Sequence, residues 1–393
     1  MSAATGKKIA LVHDWLTGMR GGEKVLEAVC ERYPEAELFT LVHIKGSVSR
    51  TIERLQPHTS FIQRLPMVRR AYRAYLPLFP TAIEQFDLDR FDLVVSLSHC
   101  CAKSIVRTGR ARHLCYCLTP MRYAWDQFDA YFGPERLGRV PSAIMRRFMA
   151  RMARWDRATA GRADRYVAIS HYVAGRIRRY YNRDATVVYP PVDTTFFTPL
   201  SAASPSSFPA STSFSASSGR YALVVSALVP YKLVDLAIEA CQRAGMPLTI
   251  VGDGPERPRL ERAAGSVPGS VTFLGRQPDA AIRDLYRHAT VTLLPGEEDF
   301  GIVPVEAQAC GTPVVALNRG GAVETVVPGT TGILVDEPSA PAFADAIARA
   351  AATPFDPAAI RAHAEQFGRE RFVHEISALI DGAFEPGYGA EPR

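Results

Sequence analysis

The sequence predicts an α/β protein built from two doubly wound halves. Three observations carry that reading. Short apolar runs alternate with helical patterns from Lys8 to Val188. A second set of the same kind runs from Tyr221 to Val335. Between them lies a Ser/Ala/Pro-rich stretch, Pro199–Gly219. Strands that alternate with helices give a parallel sheet covered on both faces. At 393 residues the chain is long enough for two cores.

In the first half, Lys8–Asp14 reads as strand one. A Gly-containing loop follows, then a helix from about Gly22 to Arg32. Leu38–Val42, Phe91–Ser96, His113–Cys117, Arg165–Ile169 and Thr186–Val188 are further short apolar strands. In the second half the strands are Tyr221–Ser226, Leu248–Val251, Val271–Leu274, Val291–Leu294, Val314–Leu317 and Ile333–Val335. A last helical pattern covers about Pro357–Phe384. Pro199–Gly219 cannot bury enough apolar surface to offset its ordering entropy, so it reads as a linker or insertion. The expected domains are therefore 1–198, the linker 199–219, 220–356, and a C-terminal helical segment 357–393.

Composition excludes several classes. An apolar fraction of 47% with 22% charged residues is ordinary for a globular protein. No run of about 18 apolar residues suggests a membrane-spanning helix. The start, MSAATGKKIALVHDW, lacks the apolar core of a secretory signal. The seven cysteines are odd in number and lie mostly in apolar surroundings, which suits reduced thiols in a cytoplasmic protein. Cys115 and Cys117, with His113 and His99 nearby, share a strand face, but no second ligand pair has metal-finger spacing. No metal site is expected.

The segment Pro295–Leu317, PGEEDFGIVPVEAQACGTPVVAL, is the richest in chemistry. Pro304 suits the first turn of a helix, where a missing N–H costs nothing. Gly311 suits a left-handed helix stop, and Pro313 blocks continuation. Glu298 then sits on a loop before the helix and Glu306 early within it. Free amides at a helix start attract phosphate, yet two carboxylates would repel it unless they accept hydrogen bonds from hydroxyls. A ligand with both phosphate and hydroxyls, a nucleotide sugar, satisfies both halves.

This segment resembles the E-x7-E motif of the retaining GT-B glycosyltransferases, in particular family 4. The resemblance covers nearly the whole chain apart from Pro199–Gly219 and the last few residues. It runs in order through HDWLTGMRGGEKV, SLSHCCAKS, TPMRYAWD, VVYPPVD, LVPYK, VGDGPE, VTFLGR and the E-x7-E segment. It is most similar to the mannosyltransferase-like branch serving bacterial surface polysaccharide and exopolysaccharide synthesis. It implies two Rossmann-like domains facing across a cleft, with the last helical segment crossing back to the first domain. It also implies a retaining, metal-independent hexosyltransferase without a cofactor, using a nucleotide sugar as co-substrate. GDP-mannose is the first donor on branch resemblance, with UDP-glucose and other UDP-sugars left open. The acceptor implied is a polyprenyl-diphosphate-linked oligosaccharide.

Residue roles follow from that resemblance. Lys232 would bind the donor diphosphate and stabilise charge on the departing group; the competing reading is a surface lysine at a helix start, where the dipole disfavours it. Glu298 would accept hydrogen bonds from the donor hexose, and Glu306 would hold the ribose. Amides of Phe300, Gly301 and Ile302 would face sugar and phosphates, while Glu297 and Asp299 read as solvated charges or helix N-terminal charges. Asp253 would shape the loop near the nucleotide, and Gly275 and Arg276 lie where the family's nucleobase stacks. Gly21 and Gly22, after strand one, would offer amides to a diphosphate. His99 would lie near the reacting sugar, the alternative being a structural histidine. Asp14, Trp15, Arg122, Tyr123 and Trp125 suit a sugar or phosphate of the acceptor, or else form a packed loop. Catalysis would rest on His99, Lys232 and Glu298.

Charge is unevenly spread: from Ser60 to Ala185 there are about 23 Lys/Arg against about 10 Asp/Glu. Arg64, Arg69, Arg70 and Arg73 lie among apolar residues, as do Arg146, Arg147, Arg151, Arg154 and Arg157. Such stretches suit an anionic membrane surface, here the inner face of the cytoplasmic membrane. The plainer alternative is an amphipathic face packed on its own domain. Nucleic acid is set aside as a partner. Two positions depart from the family. Ala227 stands where many members have arginine, and Leu118 where relatives often have histidine. Arg20 or Arg276 are candidates to compensate. These departures support a second reading, a weakened GT-B protein that binds a nucleotide sugar or a partner enzyme. A dehydrogenase or epimerase is disfavoured, since no G-x-G-x-x-G directly follows strand one.

Overall fold

A computed structural model of the chain describes residues 6–200, 220–265 and 270–385. Most of the expected linker, 201–219, lies outside the described residues. The described chain forms two compact units, Met1–Pro191 with Glu370–Arg393, and Val192–Arg369. They divide at 191 and 369 rather than at 198 and 356.

The first unit holds a seven-stranded sheet. Its strands are β1 Ile9–His13, β2 Glu37–Thr40, β3 His58–Thr59, β4 Leu93–Ser98, β5 Arg112–Cys117, β6 Arg165–Ala168 and β7 Ala185–Val187. The order is β3-β2-β1-β4-β5-β6-β7, and every pairing is parallel. β1 is buried along its whole length, with Leu11 opposite Leu38 on one side and Val95 on the other. A strand covered on both faces reads as a continuous apolar run, which is why β1 was legible. β3 escaped notice because two exposed residues give no alternation to detect.

The second unit holds six strands: β8 Ala222–Val225, β9 Leu248–Val251, β10 Val271–Gly275, β11 Val291–Leu294, β12 Val314–Leu317 and β13 Gly332–Val335. Their order is β10-β9-β8-β11-β12-β13, again all parallel. The last helical pattern is two helices, Pro357–Glu365 and Arg369–Gly382, broken at Gly368. A Cβ at Gly368 would stand 3.1 Å from the Glu365 carbonyl oxygen and 3.3 Å from Thr194 Oγ1, so the turn is tightly packed. The second of these helices packs within the first unit, with Phe372 edge-on to Tyr116 at 5.8 Å and Arg371 donating to the Tyr189 carbonyl at 2.8 Å.

Strand order reverses between β1 and β4 in the first sheet and between β8 and β11 in the second. Ligands of open α/β sheets bind beyond the carboxyl ends of the strands at such a switch point. The candidate residues sit there: Asp14 and Trp15 follow β1 and His99 follows β4, while Lys232 follows β8 and Glu298 follows β11.

Candidate active site

In the second unit the site is built by glycines that let loops touch. A Cβ on Gly252 would meet the Ser226 carbonyl oxygen at 1.8 Å, and one on Gly254 would meet that of Leu228 at 2.3 Å. The loop after β9 therefore lies directly on the loop after β8. Asp253, between these glycines, turns its carboxylate to the Gly254 amide at 2.8 Å, and its carbonyl accepts from Leu228 N–H at 3.1 Å. Lys232 ends a 3-10 turn, Pro230–Lys232, and Leu233 adopts φ +50° before the helix Val234–Ala244. A Cβ on Gly296 would lie 2.5 Å from the Tyr231 carbonyl oxygen and 2.8 Å from Lys232 Cα. That contact brings the loop after β11 onto the lysine turn, and Lys232 Nζ donates to Glu298 Oε1. Both side chains are about 15% exposed, at 15% and 14%.

Glu298 is fixed from below. Gly321 N–H donates to the Glu298 carbonyl at 2.8 Å, and Glu298 and Gly320 form a parallel bridge. Side chains at either glycine would collide: a Cβ on Gly320 would be 2.3 Å from the Glu298 carbonyl oxygen, and one on Gly321 2.3 Å from Phe300 Cα. Gly320 and Gly321 were missed in the sequence. Their signal is a double glycine just past an apolar strand, the place where a sheet-edge loop must pass another backbone.

Gly301 takes φ +91° and opens the helix Ile302–Ala309, in which Pro304 is the third residue. Gly311 stands at φ +83°, the left-handed stop expected there. Phe300 is buried against Phe367 at 5.6 Å, so only its backbone is available to a ligand, while Gly301 and Ile302 are half-buried. Glu306 is 6% exposed and accepts from Tyr286 Oη at 3.2 Å. Asp299, read in the sequence as a solvated or helix N-terminal charge, is buried, which rules out the solvated alternative. Gly275 ends β10 at φ +67°, and Arg276 beside it is exposed, as is Ala227.

In the first unit two of the expected ligand groups, Asp14 and Trp15, are buried. Asp14 is wholly buried, and its carboxylate accepts from the amides of His99, Cys100, Cys101 and Ala102 at 2.7 to 2.9 Å. His99 Nδ1 lies 3.2 Å from the same carboxylate. Burial pushes the Asp14 pKa up, but His99, His13 and the surrounding amides outweigh it, and the net shift is down. Asp14 thus holds the loop after β4, and its carboxylate is buried where a ligand-facing group was expected. Trp15 is buried too, packed on Tyr72, Phe79 and the His99 ring. Tyr123 meets Cys100 Sγ at 2.7 Å. Trp125 donates its indole N–H to Asp156 at 2.7 Å and stacks on Tyr180 at 4.6 Å. Tyr123 and Trp125 are half-buried by these contacts.

His99 and Arg122 remain partly exposed at this edge. Burial lowers the His99 pKa, and the Arg122 charge lowers it further, against the opposing pull of Asp14. Gly21 and Gly22 open the helix Gly21–Arg32, whose third residue, Glu23, accepts from Arg20 N–H at 3.1 Å. A Cβ on Gly22 would stand 2.9 Å from Leu118 Cδ1 and 3.6 Å from His13 Cε1, so Leu118 packs under the glycine turn.

Sequence reasoning also missed the buried pair Lys103–Asp156, at 2.9 Å. Asp156 accepts from Trp125 and Tyr181, so it ties the TPMRYAWD loop to the helices Arg139–Ala158 and His171–Tyr181. A lone lysine in an apolar run, SHCCAKSIV, was the available signal. All seven cysteines are buried and free. His113 pairs with Ser96 Oγ at 2.8 Å and the Arg162 carbonyl at 3.2 Å, a structural commitment. Among the described residues, Asp14, Cys100 and Cys101 cluster within ligand reach of one another, but that carboxylate is the one already holding four amides. The arginines of the two basic stretches are exposed, while Val68, Tyr72, Leu76, Met149 and Met152 beside them are buried in one core cluster. The first stretch is not a single helix: Pro66 and Pro77 go with short turns at Val68–Ala71 and Tyr72–Leu78.

Comparison with known proteins agrees with this division of the chain. Residues 19–196 match the family model "Glycosyltransferase Family 4", and residues 212–370 match "Glycosyl transferases group 1". The chain is 34% identical over 178 residues to a D-inositol 3-phosphate glycosyltransferase of Gordonia bronchialis, covering 40% of this chain and 38% of that one. It is 32% identical over 234 residues to its namesake in Mycolicibacterium smegmatis, covering 56% and 52%. The chain thus spans between about a third and about half the length of these relatives. Among solved structures, Anabaena HepE in complex with UDP aligns with a TM-score of 0.66 at 19% identity, over 95% of this chain and 100% of that one. Sucrose-phosphate synthase from Thermosynechococcus elongatus aligns at 0.66 and 22% identity, over 96% and 97%. The chain therefore has the GT-B fold, with a first half similar to Glycosyltransferase Family 4 and a second half similar to Glycosyl transferases group 1.

Proposed function

We propose that the chain is a retaining hexosyltransferase. It would take a hexose from a nucleotide sugar, first of all GDP-mannose, and deliver it to a polyprenyl-diphosphate-linked oligosaccharide in bacterial polysaccharide assembly. The observation that carries this reading is the pairing of Lys232 with Glu298 at the switch point of the second sheet, with Glu306 on the helix that follows. A cation for the diphosphate and carboxylates for hydroxyls are what a nucleotide sugar needs.

In this reading the hexose C1–O bond to the diphosphate breaks, and a bond forms from C1 to an acceptor hydroxyl on the same face. The acceptor proton passes to an oxygen of the leaving phosphate. Lys232 and the amides around Gly301 stabilise the departing charge. Glu298 orients the sugar hydroxyls and Glu306 the ribose. No metal or cofactor is called for. His99, held by Asp14, would hydrogen-bond a hydroxyl of the reacting sugar, and Arg122 would meet the acceptor.

A UDP-sugar is the alternative donor. HepE was solved with UDP and with UDP-glucose, which supports keeping it in view. For location, no helix among the described residues is long and apolar enough to cross a membrane. Six of the exposed large apolar residues, including Met67, Val140 and Ile144, lie in or beside the arginine-rich stretches. That mixture supports peripheral attachment to an anionic inner leaflet. Incubation with radiolabelled GDP-mannose or UDP-glucose and a polyprenyl-diphosphate-linked glycan tests the reading. Label carried into the lipid fraction supports it, and no transfer from any nucleotide sugar argues for the weakened, binding-only protein.

A further inference from the structure

We infer that the Lys232–Glu298 pair is a sugar-dependent latch, which sets the second unit against a free nucleoside diphosphate and in favour of a nucleoside diphosphate hexose. This rests on the nucleotide-sugar reading above and adds a specificity device to it.

The two side chains do not meet by chance rotamers on a mobile surface. The Gly296 contact presses the loop after β11 onto the backbone of Tyr231 and Lys232. Gly320 and Gly321 hold the Glu298 backbone from the other side. Both side chains are mostly shielded from water, at 15% and 14% exposure, and Lys232 Nζ also lies 5.2 Å from the Tyr231 ring centroid. An anion arriving at Lys232 therefore meets a carboxylate already on the lysine.

The two classes of nucleotide meet this pair differently. A free nucleoside diphosphate ends in a phosphate with an extra negative charge, and that group would lie beside the Glu298 carboxylate. Like charges at close range in a partly desolvated site repel strongly. A nucleoside diphosphate hexose has no such terminal charge. Its diphosphate takes Lys232, and its hydroxyls donate to the released Glu298. One ion pair is exchanged for two satisfied contacts, and neither partner is left as a shielded, unpaired charge. Once the sugar has been transferred, the repulsion returns and favours release of the nucleotide product.

Isothermal titration calorimetry at pH 7 and fixed ionic strength tests this, with GDP, GDP-mannose, UDP and UDP-glucose as probes. Glu298→Gln keeps the shape and removes the charge. The latch predicts that this variant binds the free diphosphate at least fivefold more tightly and the matching sugar nucleotide about tenfold more weakly. Lys232→Met should weaken both, and adding Glu298→Gln in that background should recover part of the affinity for the free diphosphate, because the unpaired Glu298 charge that repels it is removed. If Glu298→Gln leaves the affinity for the free diphosphate unchanged or lower, the latch is overturned while the nucleotide-sugar reading stands. If wild type binds none of the four, the reading fails and takes the latch with it.

Discussion

The two units use similar sheets to opposite ends at their switch points. In the second unit, glycine-mediated loop contacts bring a cation and a carboxylate together and leave them in reach of a ligand. In the first, the polar groups that end β1 and follow β5 are spent on backbone amides and on each other. Motif residues of the same chemical type are therefore put to different uses in the two units. His99 and Arg122 are half-buried at the first site.

That contrast can be broken by substitution. Asp14→Ala strips the acceptor from three buried amides and one part-buried one, each buried amide costing about 1–3 kcal/mol when left unsatisfied. Urea unfolding should show a loss on the order of 4 kcal/mol; a loss under about 1 kcal/mol would return Asp14 to the ligand-facing class. Lys232→Met should do the reverse. The melting temperature should hold while turnover falls about 100- to 1000-fold, the usual loss for a donor aimed at developing charge. A joint loss of folding would make Lys232 an anchor.

The first unit's commitment to structure also has a pH signature. Burial, with the Arg107 charge, pushes the His113 pKa down to about 4. The unfolded chain therefore takes up its proton first as pH falls. Stability is full above about pH 6.5 and is lost as pH drops from there towards 4, by about 3 kcal/mol at most. His113→Gln should flatten that part of a stability–pH curve, and an unchanged curve would clear His113 of the effect. The smallest change expected is at Ala227, which is exposed at the second site. If a cation is lacking there, Ala227→Arg should raise turnover by about one to two decades, in line with a charge-assisted bond of about 1.5–3 kcal/mol. No gain would point to compensation by another cation.

Much of the fold was legible because parallel strands buried on both faces are apolar throughout. Leu248–Val251, Val291–Leu294 and Val314–Leu317 have the same bounds in sequence and structure. What stayed hidden was long-range. Nothing local in HDW tells that Asp14 will cap a loop more than eighty residues away, or that Asp156 will receive the Trp125 indole. Gly320 and Gly321 were unread for a similar reason, since their role depends on which backbone passes over them. The helix from Ile302 was readable because its stop at Gly311 is a local property of backbone conformation.

The central claim is that the second unit holds a nucleotide sugar through Lys232, Glu298 and Glu306. Saturation-transfer NMR with GDP-mannose, UDP-glucose and UDP-galactose, on the wild type and on Glu306→Ala, tests it most directly. The account predicts selective transfer to one nucleotide sugar, with GDP-mannose foremost, and its loss in Glu306→Ala. Transfer to none of the three, or the same transfer in the folded variant, would contradict it.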